Sequence, residues 1–313
     1  MNAIEVQNLH KHFGAVRALN GLNMQVKQGS IYGFLGQNGA GKTTTLRILA
    51  GLARADEGMV ALNGTREQLQ GVPSDHVGYL PEEAAFYEWM TPLEYLNFSG
   101  EIFHLDTHTR KTKSLELLEK VGLKEAQKRR IGGFSHGMRQ RLGLAQALIN
   151  EPKVLLLDEP VSALDPAGRK EMLELIQSLS GSATVLMSTH ILADVERICD
   201  TIGIINAGKM IIEAERGELL DRYAVSALEV DLANGDAARI TEMNHAFAQM
   251  EGVNSVMNTQ NTLHLQVKNP QEAASKAMQV ITAAGVQITR LEVVRPSLED
   301  IFIQLTSEGK VQS

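Results

Sequence analysis

Gly36-Gln37-Asn38-Gly39-Ala40-Gly41-Lys42-Thr43 fills the pattern G-x-x-x-x-G-K-[ST] and lies between an apolar run, Ser30 to Leu35, and a helical stretch, Thr43 to Leu52. A phosphate-binding loop needs that order of strand, loop and helix. Glycines let the backbone curl so that successive N–H groups point inward, and the helix start adds the positive end of its dipole. The backbone of Gly36, Asn38, Gly39, Ala40 and Gly41 is expected to cradle phosphates, with Thr44 adding a contact. Lys42 is expected to reach the β and γ phosphates of a nucleoside triphosphate. The Thr43 hydroxyl is a candidate Mg²⁺ ligand, because a hard, octahedral ion takes oxygen donors and bridges the same phosphates.

Further along, Val154-Leu155-Leu156-Leu157-Asp158-Glu159-Pro160 reads as a buried strand ending in two carboxylates. In an α/β sheet the carboxyl edge is where ligands collect. Asp158 is the candidate for holding Mg²⁺, directly or through water, and Glu159 for polarising the water that attacks the γ-phosphate. Other short apolar runs, Val77 to Leu80 and Thr184 to Met187, and a helix from Met138 to Ile149 extend the same alternation. From Ala3 to roughly Tyr223 the pattern is that of an α/β domain with a mixed sheet.

At 313 residues the chain exceeds the usual size of one domain, so a full core and a smaller second unit are expected. With 43% hydrophobic and 21% charged residues, neither disorder nor a fibrous class fits. A net charge of -7 argues against a nucleic-acid partner, which calls for a basic stripe. The single cysteine, Cys199, excludes an internal disulfide, suits a reducing compartment and is expected to serve as a small buried hydrophobe. The N-terminus lacks the pattern of a signal peptide, and no run of about 18 apolar residues occurs, so the chain is not expected to cross a membrane itself.

Phe134-Ser135-His136-Gly137-Met138-Arg139-Gln140-Arg141 resembles the signature motif of ATP-binding cassette (ABC) proteins. The resemblance covers Ala3 to about Leu219. Its elements come in the family's order: phosphate loop, glutamine-loop region, signature, acidic strand, the turn Ser162-Ala163-Leu164-Asp165, and a histidine, His190, closing Met187-Ser188-Thr189-His190. It implies a P-loop NTPase fold of the cassette type, a mixed-sheet core with a helical subdomain at about 84–152. ATP and Mg²⁺ are the implied cofactors, and ATP hydrolysis coupled to transport the implied activity. In such proteins ATP is held between two copies. By this resemblance Ser135 and the backbone of Gly137, at a helix start that suits an anion, would contact the γ-phosphate bound by the opposite subunit. Asp165 would belong to the loop that communicates across that interface. His190 would touch the γ-phosphate and join Glu159 and Lys42 in catalysis. Phe13 would stack on adenine, the competing reading being an ordinary packed core aromatic.

Two departures stand out. Glu82, in Gly78-Tyr79-Leu80-Pro81-Glu82, occupies a position usually held by glutamine, keeping an oxygen ligand for Mg²⁺ while adding negative charge. The signature carries Phe134 for a leucine, His136 for a glycine and Met138 for a glutamine. The glutamate variant also occurs in a branch of bacterial ATPases paired with exporter-type membrane subunits. That branch often has a small C-terminal domain and a tail similar to Arg295-Pro296-Ser297-Leu298-Glu299-Asp300-Ile301-Phe302. The implied location is cytoplasmic, peripheral on the inner membrane through a transmembrane partner.

Residues 1–222 are thus expected to form the nucleotide-binding domain and 223–313 a small α+β accessory domain. Leu228, Val230 and Leu232 alternate with polar residues; a helical stretch, two short strands within 253–267, a helix (270–284), a strand (287–294) and a terminal helix (297–306) follow. That order, β-α-β-β-α-β, is ferredoxin-like. Of fourteen aromatic residues, six (Phe86, Tyr87, Trp89, Tyr95, Phe98 and Phe103) crowd into one segment at the start of the helical subdomain. Phe86, Tyr87 and Trp89 are the candidates for docking an integral-membrane subunit; filling the subdomain's own core is the alternative. Two other functions compete. A soluble ABC ATPase would show fused cassettes or a long coiled-coil insertion, and neither is visible. A nucleotide-dependent dimerisation switch without turnover is opposed by the retention of Glu159 and His190.

Overall fold

In the computed structural model the chain begins with β1 (Asn2–Phe13) and β2 (Val16–Lys27), a long antiparallel hairpin, followed by β3 (Ile31–Leu35), α1 (Lys42–Leu49), β4 (Glu57–Leu62) and β5 (Thr65–Glu67). The structure describes residues 1–67, 76–162, 164–222, 227–233, 237–259, 261–267, 269–294 and 298. Four of these strands make an antiparallel sheet in the order β2-β1-β4-β5. The hairpin is hard to read in the sequence because register shifts between Val6 and Leu9 and around His10, with Asn8 at a φ of 46°, break its period-two alternation.

Next come β6 (Val77–Leu80), α2 (Pro92–Ile102), α3 (Thr107–Lys120), α4 (His136–Leu148), β7 (Val154–Asp158), α5 (Pro166–Gln177), β8 (Thr184–Thr189), α6 (Leu192–Ile198), β9 (Thr201–Asn206) and β10 (Lys209–Glu215). A second sheet has the order β10-β9-β3-β8-β7-β6; it is parallel except for β10, which pairs antiparallel with β9. Every residue of β3, β7 and β8 is buried, which is why IYGFL, VLLL and VLM read as apolar runs without alternation. One core joins the sheets and α1 through Leu9, Leu22, Phe34, Leu46, Val60 and Leu156.

The helices α2, α3 and α4 start at capping side chains. Thr91 makes a reciprocal capping box with Glu94, Asp106 accepts from His108 N and Thr109 N, and Ser135 accepts from Met138 N. They share a small core of Tyr95, Leu96, Leu118, Ile131, Phe134 and Leu142, which makes this lobe a packing unit of its own.

The chain divides into two compact units, Met1–Arg216 and Gly217–Ser313, so most of α7 (Arg216–Arg222) groups with the second unit rather than ending the first at 222. The second unit holds β11 (Ala227–Leu232), α8 (Ala237–Ala248), β12 (Val253–Thr259), β13 (Thr262–Val267), α9 (Pro270–Ala284) and β14 (Ile288–Val294). All pairings are antiparallel in the order β12-β13-β11-β14, the ferredoxin-like arrangement. Leu228, Val230 and Leu232 point into a core with Leu263, Leu265, Phe247 and Ile281, while Glu229, Asp231 and Arg290 pair on the other face. Apart from Leu298, the expected terminal helix and the Arg295 to Phe302 tail lie outside the described residues.

Candidate functional site

Parallel pairing sets the carboxyl ends of β3, β8 and β7 side by side, with Leu35 opposite Thr189 and Asp158 opposite Ser188. The loop leaving β3 has no room for side chains at two of its glycines. A Cβ on Gly36 would lie 2.6 Å from the Ile205 carbonyl, and one on Gly41 2.7 Å from that of Ala18; Gly41 also holds a φ of 111°. The loop stands on the turn between β9 and β10, where Gly208 N donates to Ala40 O at 3.0 Å. Gln37, Asn38 and Gly39 are exposed, and α1 begins at Lys42. Backbone N–H groups at such a helix start are free for an anion.

Lys42 is buried. Its Nζ donates to Gly36 O at 2.7 Å and lies 3.5 Å from Glu159 Oε1, so the ammonium is both hydrogen-bonded and paired, as a charge out of water must be. Asp158 Oδ1 accepts from Thr43 Oγ1 at 3.2 Å and from Ser188 Oγ at 2.6 Å. Glu159 follows with a φ of 47°, a left-handed conformation costing on the order of 1 kcal/mol for a residue with a Cβ. Its amide donates to Ser188 O and Oγ, at 3.1 and 3.2 Å. Its Oε2 lies 3.0 Å from His190 Nδ1. The turn before α6 is held by Ile191 N donating to Thr189 Oγ1 at 3.0 Å. The negative charge reaches Tyr79 on β6, whose phenol is raised above its ordinary range by burial and then by Asp158.

The structure therefore brings Lys42, Thr43, Asp158, Glu159 and His190 together. Ser188, which ties Asp158 to the Glu159 amide, escaped the sequence reading, although its place one strand away from an acidic strand end was a usable signal.

Other candidates lie apart. None of the described hydrogen bonds or ion pairs links Phe13, Glu82, Ser135, Gly137 or Asp165 to the glycine-rich loop after β3 or the two acids. Ser135 caps its own helix, with Gly137 against Leu164. Ala163, in the same turn as Leu164, lies outside the described residues. Asp165 caps α5, accepting from Gly168 N at 3.1 Å. Glu82 is exposed beyond β6, and Thr44 is half-buried on α1. Phe13 is 56% exposed at the hairpin tip, against the reading as a packed core aromatic, with Lys11 Nζ 5.2 Å from its ring centre.

The aromatic cluster separates into two environments. Phe86 is half-buried, packs against the lobe core and meets Tyr95 edge-on at 5.1 Å, so it belongs with the lobe's interior rather than with an open docking face. Tyr87 and Trp89 are 50% and 65% exposed, with ring centres 6.1 Å apart, and Phe98 adds a ring 5.9 Å from Tyr87. Cys199 is buried, and burial pushes its thiol far above the ordinary range, as expected of a packed hydrophobe. Among the described residues, no helix is long and apolar enough to cross a membrane.

Residues 19–162 match the family model described as ABC transporter, and residues 217–306 match that of the ATP-binding protein DrrA1-3-like, C-terminal domain. The chain is 36% identical over 311 residues to the uncharacterized ABC transporter ATP-binding protein YxlF of Bacillus subtilis (strain 168), covering 96% of this chain and 99% of that one. It is 34% identical to the bacitracin transport ATP-binding protein BcrA of Bacillus licheniformis, covering 98% of each. Among solved structures, an ATP-binding subunit of an ABC transporter superposes with a TM-score of 0.63 at 28% identity, covering 71% of this chain and 93% of that one.

Proposed function

Because this chain belongs to the ATP-binding proteins of ABC transporters, ATPases that power transport, we propose that Lys42, Thr43, Asp158, Glu159 and His190 are the half of a shared ATP site that one copy contributes. The observation that carries this reading is the set of contacts at the ends of β3, β7 and β8. An ammonium, a hydroxyl, two carboxylates and an imidazole meet beside a backbone loop with no room for side chains at Gly36 and Gly41. Phosphoryl transfer asks a protein chiefly for positioning and charge stabilisation, and these groups supply both.

Lys42 would leave Glu159 for the β and γ phosphates when ATP enters, since a triphosphate outweighs one carboxylate. Glu159, held by Ser188 and beside His190, would then orient the attacking water and accept its proton. His190 would stabilise charge on the γ-phosphate. Phe13, exposed and without a packing role, would stack on adenine. Thr43 Oγ1 and Asp158 Oδ1, 3.2 Å apart, are the hard donors that Mg²⁺ prefers, and they fit an ion completed by phosphates and water. That ion would neutralise phosphate charge. Glu82, exposed beyond β6, would reach it only through water or after movement of its loop.

Dimerisation is supported by the site's incompleteness. Ser135 and Gly137 stand at a helix start that, among the described hydrogen bonds, makes none to the chain's own phosphate loop, so an ATP bridging two copies would engage both halves. Docking of an integral-membrane subunit would use Tyr87, Trp89 and Phe98, the exposed rings of the lobe, with Phe86 supporting them from beneath. A relative named for bacitracin transport and the DrrA1-3-like C-terminal domain support an exporter-type system, with the chain at the cytoplasmic face of the membrane through that partner. The test is steady-state hydrolysis and oligomeric state with Mg-ATP for the wild type and Glu159→Gln. Turnover by the wild type and an ATP-bound dimer of Glu159→Gln are expected; equal turnover by both would overturn the assignment.

A further inference from the structure

The half-buried Arg169 and the buried Asp194 form an ion pair that none of the roles above uses. Arg169, four residues after the Asp165 cap of α5, places Nε 2.8 Å and a terminal nitrogen 2.7 Å from Asp194 Oδ1. Asp194 lies in the first turn of α6, almost wholly buried, and its other oxygen, Oδ2, is buried with no hydrogen-bond partner among the described residues. Burial lifts this carboxyl above its ordinary range against the pull of Arg169, and the charge of Glu159 adds to the lift.

As a device for stability this pair is poorly built. A buried carboxylate in an ion pair repays its desolvation only when its remaining lone pairs are satisfied, and among the described residues Oδ2 has no partner. Met172, Leu173, Val195 and Ile198 already give α5 and α6 buried apolar surface. What the pair does supply is a fixed geometry. The start of α6 has no capping side chain, since Ile191 stands at the cap, and His190 immediately precedes it. Glu159 lies upstream of α5 and His190 upstream of α6, and their side chains meet at 3.0 Å. Arg169 and Asp194 close that ring on its far side.

We propose that Arg169 and Asp194 are positioning residues for catalysis: their ion pair locks the first turn of α6 to α5 and thereby holds the His190 imidazole against Glu159. The inference rests on the hydrolytic role proposed for Glu159 and His190.

The test compares ATP hydrolysis and ATP affinity for the wild type, Asp194→Asn, Asp194→Glu, His190→Ala and the double variant His190→Ala/Asp194→Asn. Asp194→Asn is expected to lower kcat about tenfold with KM and ATP affinity within about twofold. Asp194→Glu, which can still reach Arg169, recovers most of the rate. In the double variant the loss is no greater than in His190→Ala alone, because a residue acting through His190 has nothing left to position. An unchanged kcat in Asp194→Asn, or losses that multiply in the double variant, overturns the inference while leaving the proposed function intact. If the wild type binds ATP without turnover, the hydrolytic reading is what fails. The pair is then judged by the imidazole NMR signal of His190, identified by its loss in His190→Ala. A shift of that signal in Asp194→Asn supports positioning, and a signal that stays in place overturns it.

Discussion

His190 Nδ1 stands 3.0 Å from Glu159 Oε2, joining the residues that directly follow two buried strands, β8 and β7. The two are 31 positions apart in the chain and come together because β7 and β8 are parallel neighbours in register. Glu159 thereby has one oxygen beside an imidazole and the other beside the Lys42 ammonium.

Replacing Glu159 by glutamine keeps the side chain's shape and removes the charge and the proton acceptor. ATP turnover is expected to fall by about 10² or more, the usual contribution of a general base, with nucleotide affinity kept within a few-fold. A coupled ATPase assay and equilibrium ATP binding on the same preparation check this. Loss of binding together with turnover would mean that Glu159 serves the pocket's structure instead.

Gly41 and Gly39 both have positive φ, 111° and 80°, but differ in the space around them. An alanine Cβ at 41 meets the Ala18 carbonyl at 2.7 Å, while no described residue lies within 4 Å of one at 39. Gly41→Ala should destabilise the cassette unit by about 2–3 kcal/mol and weaken ATP binding, and Gly39→Ala by about 1 kcal/mol, from backbone strain alone. Denaturant unfolding of the two variants separates the effects; equal losses would remove the steric argument.

Phe86 and Trp89 lie three positions apart in opposite environments. Phe86→Ala removes a ring packed into the lobe core and should cost about 2 kcal/mol, seen as a Tm several degrees lower. Trp89, 65% exposed, should change Tm by no more than about a degree when replaced by alanine. Thermal unfolding distinguishes them, and a large loss for Trp89→Ala would place that ring in the core.

Asp56 carries the clearest acid dependence. A hydrogen bond from Lys11, aided by the His12 backbone and ring, holds its carboxyl at about 2, below its ordinary value of 3.8. A depressed carboxyl stabilises the fold above its unfolded pKa, and the contribution is lost as pH falls through the folded value, here between about 4 and about 2. Asp56 is exposed, so added salt should shrink the effect. Denaturant midpoints measured across that window should fall less steeply for Asp56→Asn than for the wild type; parallel curves would show that the pairing contributes nothing.

Much of this architecture was legible without coordinates. The runs IYGFL, VGYL and VLLL became strands because a parallel sheet covered on both faces leaves no solvent side to impose alternation. The hairpin of β1 and β2 was harder, since its bulges shift inward and outward positions partway along each strand. Within the site, Lys42, Thr43, Asp158, Glu159 and His190 were legible as residues of two motifs and a strand end. Ser188 was not, because a serine inside an apolar strand acquires meaning only from the carboxylate across the sheet.

The sequence by itself marked the glycine-rich loop between β3 and α1 and the acidic end of β7, because each depends on chemistry between residues close together in the chain. Only the tertiary structure decided that Phe86 turns inward while Trp89 stays open, that Lys42 rests against Glu159, and that Arg169 reaches Asp194 across two helices. Those relationships arise from strand register and from which faces of neighbouring elements exclude water. Both depend on segments far apart in sequence, so local composition carries no record of them.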